Sequence, residues 1–310
     1  MAADVAVAQL AATVALNLSV AIVAGASMST AWLRAGRSAW SAGCLGRLRL
    51  VALAAVTVAI LCQIALLWLQ AAAMAEVPVM AASPAVHAAL TATHYGFAWT
   101  IGIGALAAIA AATALRRRPQ QARTADIVAL LGVAVFLYSR SIVSHAGAGG
   151  DVSWAVAADW LHLILISLWV GEVWVAGLVT LRRPADSPPA ARADRDRYIQ
   201  ALSNTATVAL AGIFVTGLAS AWRGLGSLDN ATGNDYAATL LIKLALVAIA
   251  ALLGGINRFF VMPTLIGNAG GGTTIAQRRF ALVLQIEAVV LLAALIFAAV
   301  LSSTSPPAAG

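Results

Sequence analysis

The sequence predicts an all-α integral membrane protein, a polytopic bundle of about eight transmembrane helices with both termini on the outer side of the membrane. Three observations support this prediction: the apolar composition, the recurrence of long apolar runs, and the placement of the arginines. Hydrophobic residues make up 62% of the chain and charged residues only 10%, with a mean hydropathy of +0.91. Because soluble globular domains have about 25% charged residues, the composition excludes a soluble fold.

Apolar runs long enough to cross a bilayer as helices recur along the whole chain. One crossing needs about 20 predominantly apolar residues. Runs of this length lie roughly at 5–33, 50–72, 87–115, 124–145, 154–180, 199–223, 237–260 and 279–302. No basic segment precedes the first run, where Asp4 stands instead, so we expect a spanning helix there and not a cleaved signal peptide.

The arginines alternate between successive connections of these runs. Sixteen of the nineteen Lys and Arg residues lie in every second connection, whereas the others carry mainly acidic residues, with Arg223 as the main basic exception. Because cytoplasmic loops are enriched in Lys and Arg, we expect the arginine connections in the cytoplasm. The net charge of +7 is then a topology signal and implies no nucleic-acid partner. The sixteen residues are Arg34, Arg37, Arg47, Arg49, Arg116, Arg117, Arg118, Arg123, Arg182, Arg183, Arg192, Arg195, Arg197, Arg258, Arg278 and Arg279.

The connections are too short for a separate folded domain. The longest polar stretch, RRPADSPPAARADRDR, is expected to be a solvated linker. No GxGxxG, Walker, GxSxG or HExxH motif is present, and we therefore expect no enzymatic activity. The predicted organisation is an N-terminal four-helix half, residues 1–150, with His87, His94 and His145, followed by a second four-helix half, residues 151–310, with His162.

All four histidines fall on the predicted outer side. We expect His87 to open the third helix and His94 to lie about 10 Å deeper, at a depth similar to that of His162 in the fifth helix. His145 closes the fourth helix. Neutral imidazole binds copper and zinc, so the pattern predicts a metal site near the outer boundary that includes all four histidines. In the alternative interpretation, each histidine only links two helices through a hydrogen bond.

Other side chains extend this predicted site. Met80, in the outer connection before His87, supplies a thioether that suits Cu(I). Asp159, one turn before His162, is a candidate for orienting its ring. Glu172, Glu287 and Cys62 are candidates for a path further into the membrane, because ionisable residues at membrane depth are functional candidates by default.

Four stretches of the second half together resemble the CopD copper-resistance family of bacterial inner-membrane proteins. They are ADWLHLILISLWVGEVWVAGLV, VTGLASAWRGLGSL, YAATLLIKLALVAIAALLGGINRFFVMPTL and RRFALVLQIEAVVLLAALIFAAVLSSTSPP. The similarity covers about residues 154–307 and extends back through SHAGAGG and THYGFAW. His94, His145 and His162 match the histidines of the family's motifs. Glu172 is a departure, because it stands where the family has the second glycine of a pair.

The resemblance implies a copper-binding protein that takes copper, as Cu(I) or Cu(II), from the periplasm and transports it toward the cytoplasm. It also implies a separate periplasmic copper carrier of the CopC type as partner, besides the lipid bilayer. Two alternatives remain at the level of the sequence. One is a b-type haem electron carrier with His94 and His162 as axial ligands. The other is a membrane receptor or assembly factor that binds copper without transporting it.

Overall fold

The computed structural model describes residues 2–116, 121–182, 188–266 and 274–304, which form α-helices joined by short turns. Those ranges contain no β-strand. Arg117, Arg118 and Arg183 of the predicted arginine connections lie outside the described residues. The α-helices are α1 (Ala2–Leu33), α2 (Ala39–Met74), α3 (Ser83–Ala92), α4 (His94–Leu115), α5 (Ala122–Ser141), α6 (Trp154–Val175), α7 (Pro189–Leu225), α8 (Asp235–Ile256), α9 (Met262–Leu265) and α10 (Thr274–Ser303).

Within the described part of the chain, eight helices are long and apolar enough to cross a membrane: α1, α2, α4, α5, α6, α7, α8 and α10. This confirms the predicted all-α polytopic fold. Successive spanning helices place their connections alternately on two sides of the bundle. We call the side with the α1–α2, α4–α5, α6–α7 and α8–α10 connections the arginine side, and the opposite one the histidine side.

Two of the spanning helices are much longer than a bilayer requires. α2 has 36 residues and α7 has 37, so each is about 55 Å long, against a hydrocarbon core of about 30 Å. The beginnings of both helices meet on the arginine side. Asp194 of α7 accepts hydrogen bonds from the backbone N–H of Ser38 at 2.9 Å and from the hydroxyls of Ser38 and Ser41 at 2.6 and 3.2 Å. This carboxylate ties α7 to the N-cap of α2.

The third predicted span differs from the structure. Residues 87–115 do not form one helix, because the chain breaks at Thr93 between α3 and α4. Thr93 has an extended backbone and caps α4 by accepting a hydrogen bond from the N–H of Gly96 at 3.0 Å. A Cβ on Gly96 would lie 2.3 Å from the carbonyl oxygen of Ala89, so only glycine lets α3 fold back this closely. His87 therefore lies on α3, and His94 is the first residue of the spanning helix.

The closest helix contact in the centre of the bundle joins α1 to α6. A Cβ on Gly171 would lie 1.7 Å from the carbonyl oxygen of Ala21, and one on Gly25 would lie 2.1 Å from the carbonyl carbon of Gly171. The two backbones thus touch, as in membrane bundles where small residues allow helices to approach. α1 also packs on α2, α5, α7 and α10. It is the central helix around which the others are arranged.

A charge cluster fixes the arginine side of α1, α4 and α5. Arg34 donates to the Asp126 carboxylate through Nε at 2.9 Å and also through Nη2. Arg116 Nε lies 2.9 Å from the other carboxylate oxygen, an ion pair without hydrogen-bond alignment, and Arg116 Nη2 donates to Ser27 Oγ at 2.8 Å. Asp126 is buried. One buried carboxylate thus holds two cationic side chains from two other helices.

Replacing Gly171 by alanine is expected to lower the thermal stability of the purified protein strongly, because the new methyl group has no space against Ala21. Gly104→Ala is the matched control: Gly104 also lies within a spanning helix, but nothing lies within 4 Å of its Cβ position. Melting followed by circular dichroism checks this. Equal melting temperatures for the two variants would contradict the α1–α6 contact.

Replacing Asp126 by alanine leaves Arg116 buried without a counter-charge. Breaking a buried ion pair in this way typically costs about 3–5 kcal/mol, so we expect a large loss of stability in the same melting experiment. Asp229→Ala, at an exposed position in the α7–α8 connection, is the control and should melt like the wild type.

Candidate metal centre

His162 is the histidine that lies deepest in the bundle. It is eight residues into α6, about 12 Å from the helix start. Its Nδ1 lies 3.0 Å from the hydroxyl of Thr216 on α7. A Cβ on Gly217 would lie 3.4 Å from the ring, so α7 forms one wall of the histidine's site. The imidazole therefore lies between two spanning helices and does not face lipid.

The Thr216 hydroxyl determines which nitrogen of His162 carries the proton. Thr216 Oγ1 donates its single hydrogen to the carbonyl oxygen of Gly212 at 2.7 Å. It can then only accept from His162, so Nδ1 carries the hydrogen in the neutral ring. Nε2 is left with a free lone pair, the arrangement in which a histidine binds a metal. The His162 ring is thus prepared to act as a ligand through Nε2.

Asp159 does not orient His162, contrary to the sequence-based expectation. Its carboxylate accepts hydrogen bonds from Ser141 Oγ at 2.8 Å and Ser144 Oγ at 3.3 Å. Asp159 therefore fastens the start of α6 to the end of α5, while Thr216 takes the orienting role. Spacing in the sequence does not indicate this partner, because Thr216 lies 54 residues further along the chain, although it stands within the family-like stretch VTGLASAWRGLGSL.

His94 occupies a different environment at the surface. Its Nε2 lies 3.0 Å from the Asp151 carboxylate, and both side chains are substantially exposed, at 52% and 38%. His94 is also the first residue of α4, where the partial positive charge of the helix N-terminus disfavours the binding of a cation. The Asp151 carboxylate offsets that charge. Since His162 lies about 12 Å into its own helix, the two histidines are not at the similar depth predicted from the sequence.

The remaining predicted outer ligands lie at the surface of the histidine side. His87 on α3 is exposed, and His145 is exposed at the start of the short 3-10 helix His145–Gly149. Met80, in the 3-10 turn Val79–Ala81, is 94% exposed. Across the described residues, which include all four histidines and both cysteines, no three His, Cys, Asp or Glu side chains are close enough to hold one ion. The structure therefore does not bring the four histidines into a single preformed cluster.

Lys243 is a neighbour of His162 that the motif analysis missed. It lies eight residues into α8, as His162 does in α6, and within electrostatic range of both His162 and Asp159. Lys243 is the one lysine in the sequence, and it stands in an apolar run. A lone cation inside a predicted span was the signal that could have identified it.

The two buried glutamates lie toward the arginine side and differ in their partners. Glu172 is fully buried at the α1–α6 contact, where a Cβ on Gly25 would lie 2.5 Å from its backbone nitrogen. Among the described residues, neither of its carboxyl oxygens has a hydrogen-bond partner. Glu287 on α10 is 2% exposed and accepts a hydrogen bond from Trp169 Nε1 at 3.1 Å. Glu172 thus retains unused ligand capacity in the membrane interior.

Cys62 lies in the middle of α2, partly buried and without a disulfide partner. It packs against the same apolar cluster as Leu163 and Leu168 of α6. These two residues lie between His162 and Glu172 in the sequence of α6. Cys62 is thus at an intermediate position along the bundle.

Two family models match the chain. The model described as copper resistance protein D-like, N-terminal domain, matches residues 2–154, and the model described as copper resistance protein D matches residues 196–301. Neither a curated protein nor a solved structure matches it. The two matched regions include seven of the eight spanning helices and adjoin α6, which carries His162. The chain belongs to the copper resistance protein D family.

Proposed function

We propose that this protein binds copper on the histidine side, which faces the periplasm, and transports it across the bacterial inner membrane toward the cytoplasm. The observation that supports the proposal most directly is the His162 ring held by Thr216 between two spanning helices, an arrangement that leaves Nε2 available to a metal. In this proposal the protein transports an ion and catalyses no chemical reaction. A periplasmic carrier of the CopC type would deliver the copper as a separate chain.

Capture would begin at the exposed groups of the histidine side. His87, His145 and Met80 are accessible there, and His94 with Asp151 offers an imidazole and a carboxylate already 3.0 Å apart. Since these groups form no preformed cluster in the described residues, each would bind copper weakly. Weak, multiple sites suit conduction, in which an ion has to leave each site again.

Transfer inward would use His162 first. Lys243 lies within electrostatic range of it and as an ammonium group would repel a bound cation, whereas the carboxylate of Asp159 would partly offset this repulsion. The combination prevents copper from being held too tightly at the imidazole. The membrane potential favours inward movement of a cation by about 2.3 kcal/mol per charge per 100 mV, so no ATP-binding site is required.

Beyond His162, the proposed path uses Cys62 and Glu172. Glu172 lies ten residues after His162 on α6, about 15 Å deeper, and Cys62 lies between these levels on α2. The carboxyl group of Glu172 has no hydrogen-bond partner in the part of the chain that the structure describes and can therefore accept a passing cation. Glu287 contributes less to this path, because Trp169 already donates to it.

The histidine assignment is tested by copper binding to the purified protein. The double substitution His94→Ala and His162→Ala should remove most of the bound copper. Thr216→Val should lower the affinity about 10–100-fold, the usual effect of removing the group that orients a ligand. Thr100→Val is the matched control, because Thr100 donates to the carbonyl of Gly96 in the same way but contacts no histidine. Full copper binding by the double variant would contradict the assignment of His94 and His162 as copper ligands.

The same preparations separate transport from the alternatives. Wild-type protein in proteoliposomes should accumulate copper inside the vesicles. Binding without accumulation would indicate a receptor or assembly factor, and a Soret absorption band in the purified protein would indicate haem.

Replacing Glu172 by glutamine should leave copper binding at the histidine side intact and reduce uptake into proteoliposomes at least tenfold. The substitution preserves the shape of the side chain but replaces the carboxyl group, which would bind the passing cation, by an amide. Glu76→Gln, at an exposed glutamate in the connection after α2, serves as the control and should transport normally. Wild-type uptake by the Glu172 variant would place the path elsewhere.

A further inference from the structure

A cavity of about 220 Å³ lies between α6, α7, α8 and α10, in the half of the bundle nearer the arginine side. Its walls are mainly apolar and include the rings of Trp169, Phe259 and Phe280. For comparison, an apolar cavity of about 150 Å³ in another protein binds benzene. The space is therefore large enough for an aromatic ring with substituents.

The cavity results from the way α8 packs. α7 and α8 are consecutive in the chain, yet they make few contacts with each other, whereas α8 packs closely on α10. Small residues line the space where α7 and α8 separate, among them Ala206, Ala251 and Gly254. α8 also continues into the π-helical turn Asn257–Val261. Such turns widen a helix locally and occur frequently at functional sites.

The neighbouring surface of α7 and α8 faces the lipid. Val208 on α7, Leu252 on α8 and Phe259 in the π-helical turn are 68–70% exposed and apolar. A molecule dissolved in the bilayer can therefore approach the cavity between these two helices. A water-soluble ligand would have to cross apolar surface first.

Two residues that line this apolar space carry buried hydrogen-bond acceptors. Asn257 is 4% exposed, its amide nitrogen donates to the carbonyl of Phe280 at 3.3 Å, and its Oδ1 has no hydrogen-bond partner among the described residues. The Glu287 carboxyl group accepts only from Trp169 among the hydrogen bonds of the described residues. The Cβ position of Gly254 lies 3.4 Å from Glu287 Oε1, and Gly254 is one helical turn from Asn257, so the two acceptors are near each other.

The apolar walls and the two buried acceptors together determine which kind of ligand fits the cavity. Unpaired buried acceptors are energetically unfavourable, so a ligand that donates hydrogen bonds to them is preferred. A phospholipid acyl chain would fill the apolar space but leave Asn257 Oδ1 unpaired and bring Glu287 no donor besides Trp169. A copper ion would meet one carboxylate and no His or Cys side chain in the wall of the cavity.

We propose that the cavity binds a lipophilic aromatic diol from the bilayer, of the quinol class. The ring lies between Trp169, Phe259 and Phe280, and its two hydroxyl groups donate to Asn257 Oδ1 and to the Glu287 carboxyl group. The apolar tail leaves between α7 and α8 into the lipid. This site is separate from the histidine side, and its existence does not depend on the copper pathway.

The test compares two ligands that differ only in their hydrogen-bond donors. Decylubiquinol and its bis-methyl ether on the two phenolic oxygens are titrated into the full-length protein in lipid nanodiscs, with binding followed by calorimetry. We expect the quinol to bind about tenfold more tightly than the ether. Equal binding of the two compounds, or no saturable binding of the quinol, would overturn the proposal.

Matched variants test whether the ligand binds in the cavity. Ala251→Phe fills the space and should weaken binding of the quinol at least tenfold. Leu252→Phe, at the adjacent lipid-facing position, should bind like the wild type. Asn257→Leu should abolish the preference for the quinol over the ether. Unchanged binding by Ala251→Phe would show that the ligand binds elsewhere and would also overturn the proposal. The comparison of the two ligands needs only the wild-type protein, so it tests the proposal even if a variant fails to fold.

Discussion

The structure depends on the backbone contact between α1 and α6. Gly25 and Gly171 leave no room for a side chain between the two helices, so α6 is fixed in depth and rotation against the central helix. Because α6 carries Asp159, His162, Trp169 and Glu172, this contact also fixes the position of each of these side chains. In a membrane, where apolar surfaces gain little by meeting each other, such close approach is a principal source of helix association.

Four polar side chains of α6 face four different neighbouring helices. Asp159 meets α5, His162 meets α7, and Trp169 meets Glu287 on α10, whereas Glu172 faces the α1 contact without a partner. These polar contacts occur at successive levels along α6, from the histidine side toward the arginine side. The polar contacts in the interior of the bundle are therefore arranged along α6. Side chains of α6 contribute both to the candidate copper path and to the wall of the apolar cavity.

The spans were predictable from the sequence because apolar run length is a local property, and lipid imposes it on every helix. The break at Thr93 was not predictable by that criterion, since the residues on both sides are apolar enough to continue a helix. It depends on a capping hydroxyl and on Gly96, whose importance follows only from the packing of α3. Similarly, the sequence identified His162 as a candidate ligand but assigned the wrong partner. Asp159 is close in the chain, whereas Thr216 is close only in the folded bundle.

The groups around His162 also influence which ions would not bind there. Mg²⁺ and Ca²⁺ require several oxygen ligands, and next to this imidazole the structure places a threonine whose hydroxyl hydrogen is donated to Gly212, with Lys243 within electrostatic range. Hard divalent ions, which are far more abundant in most surroundings than copper, gain nothing there that would repay the loss of their water shells. The site would therefore discriminate against these ions because it lacks the oxygen ligands that they require. A site with one nitrogen donor and few competing oxygens favours a soft, weakly hydrated ion.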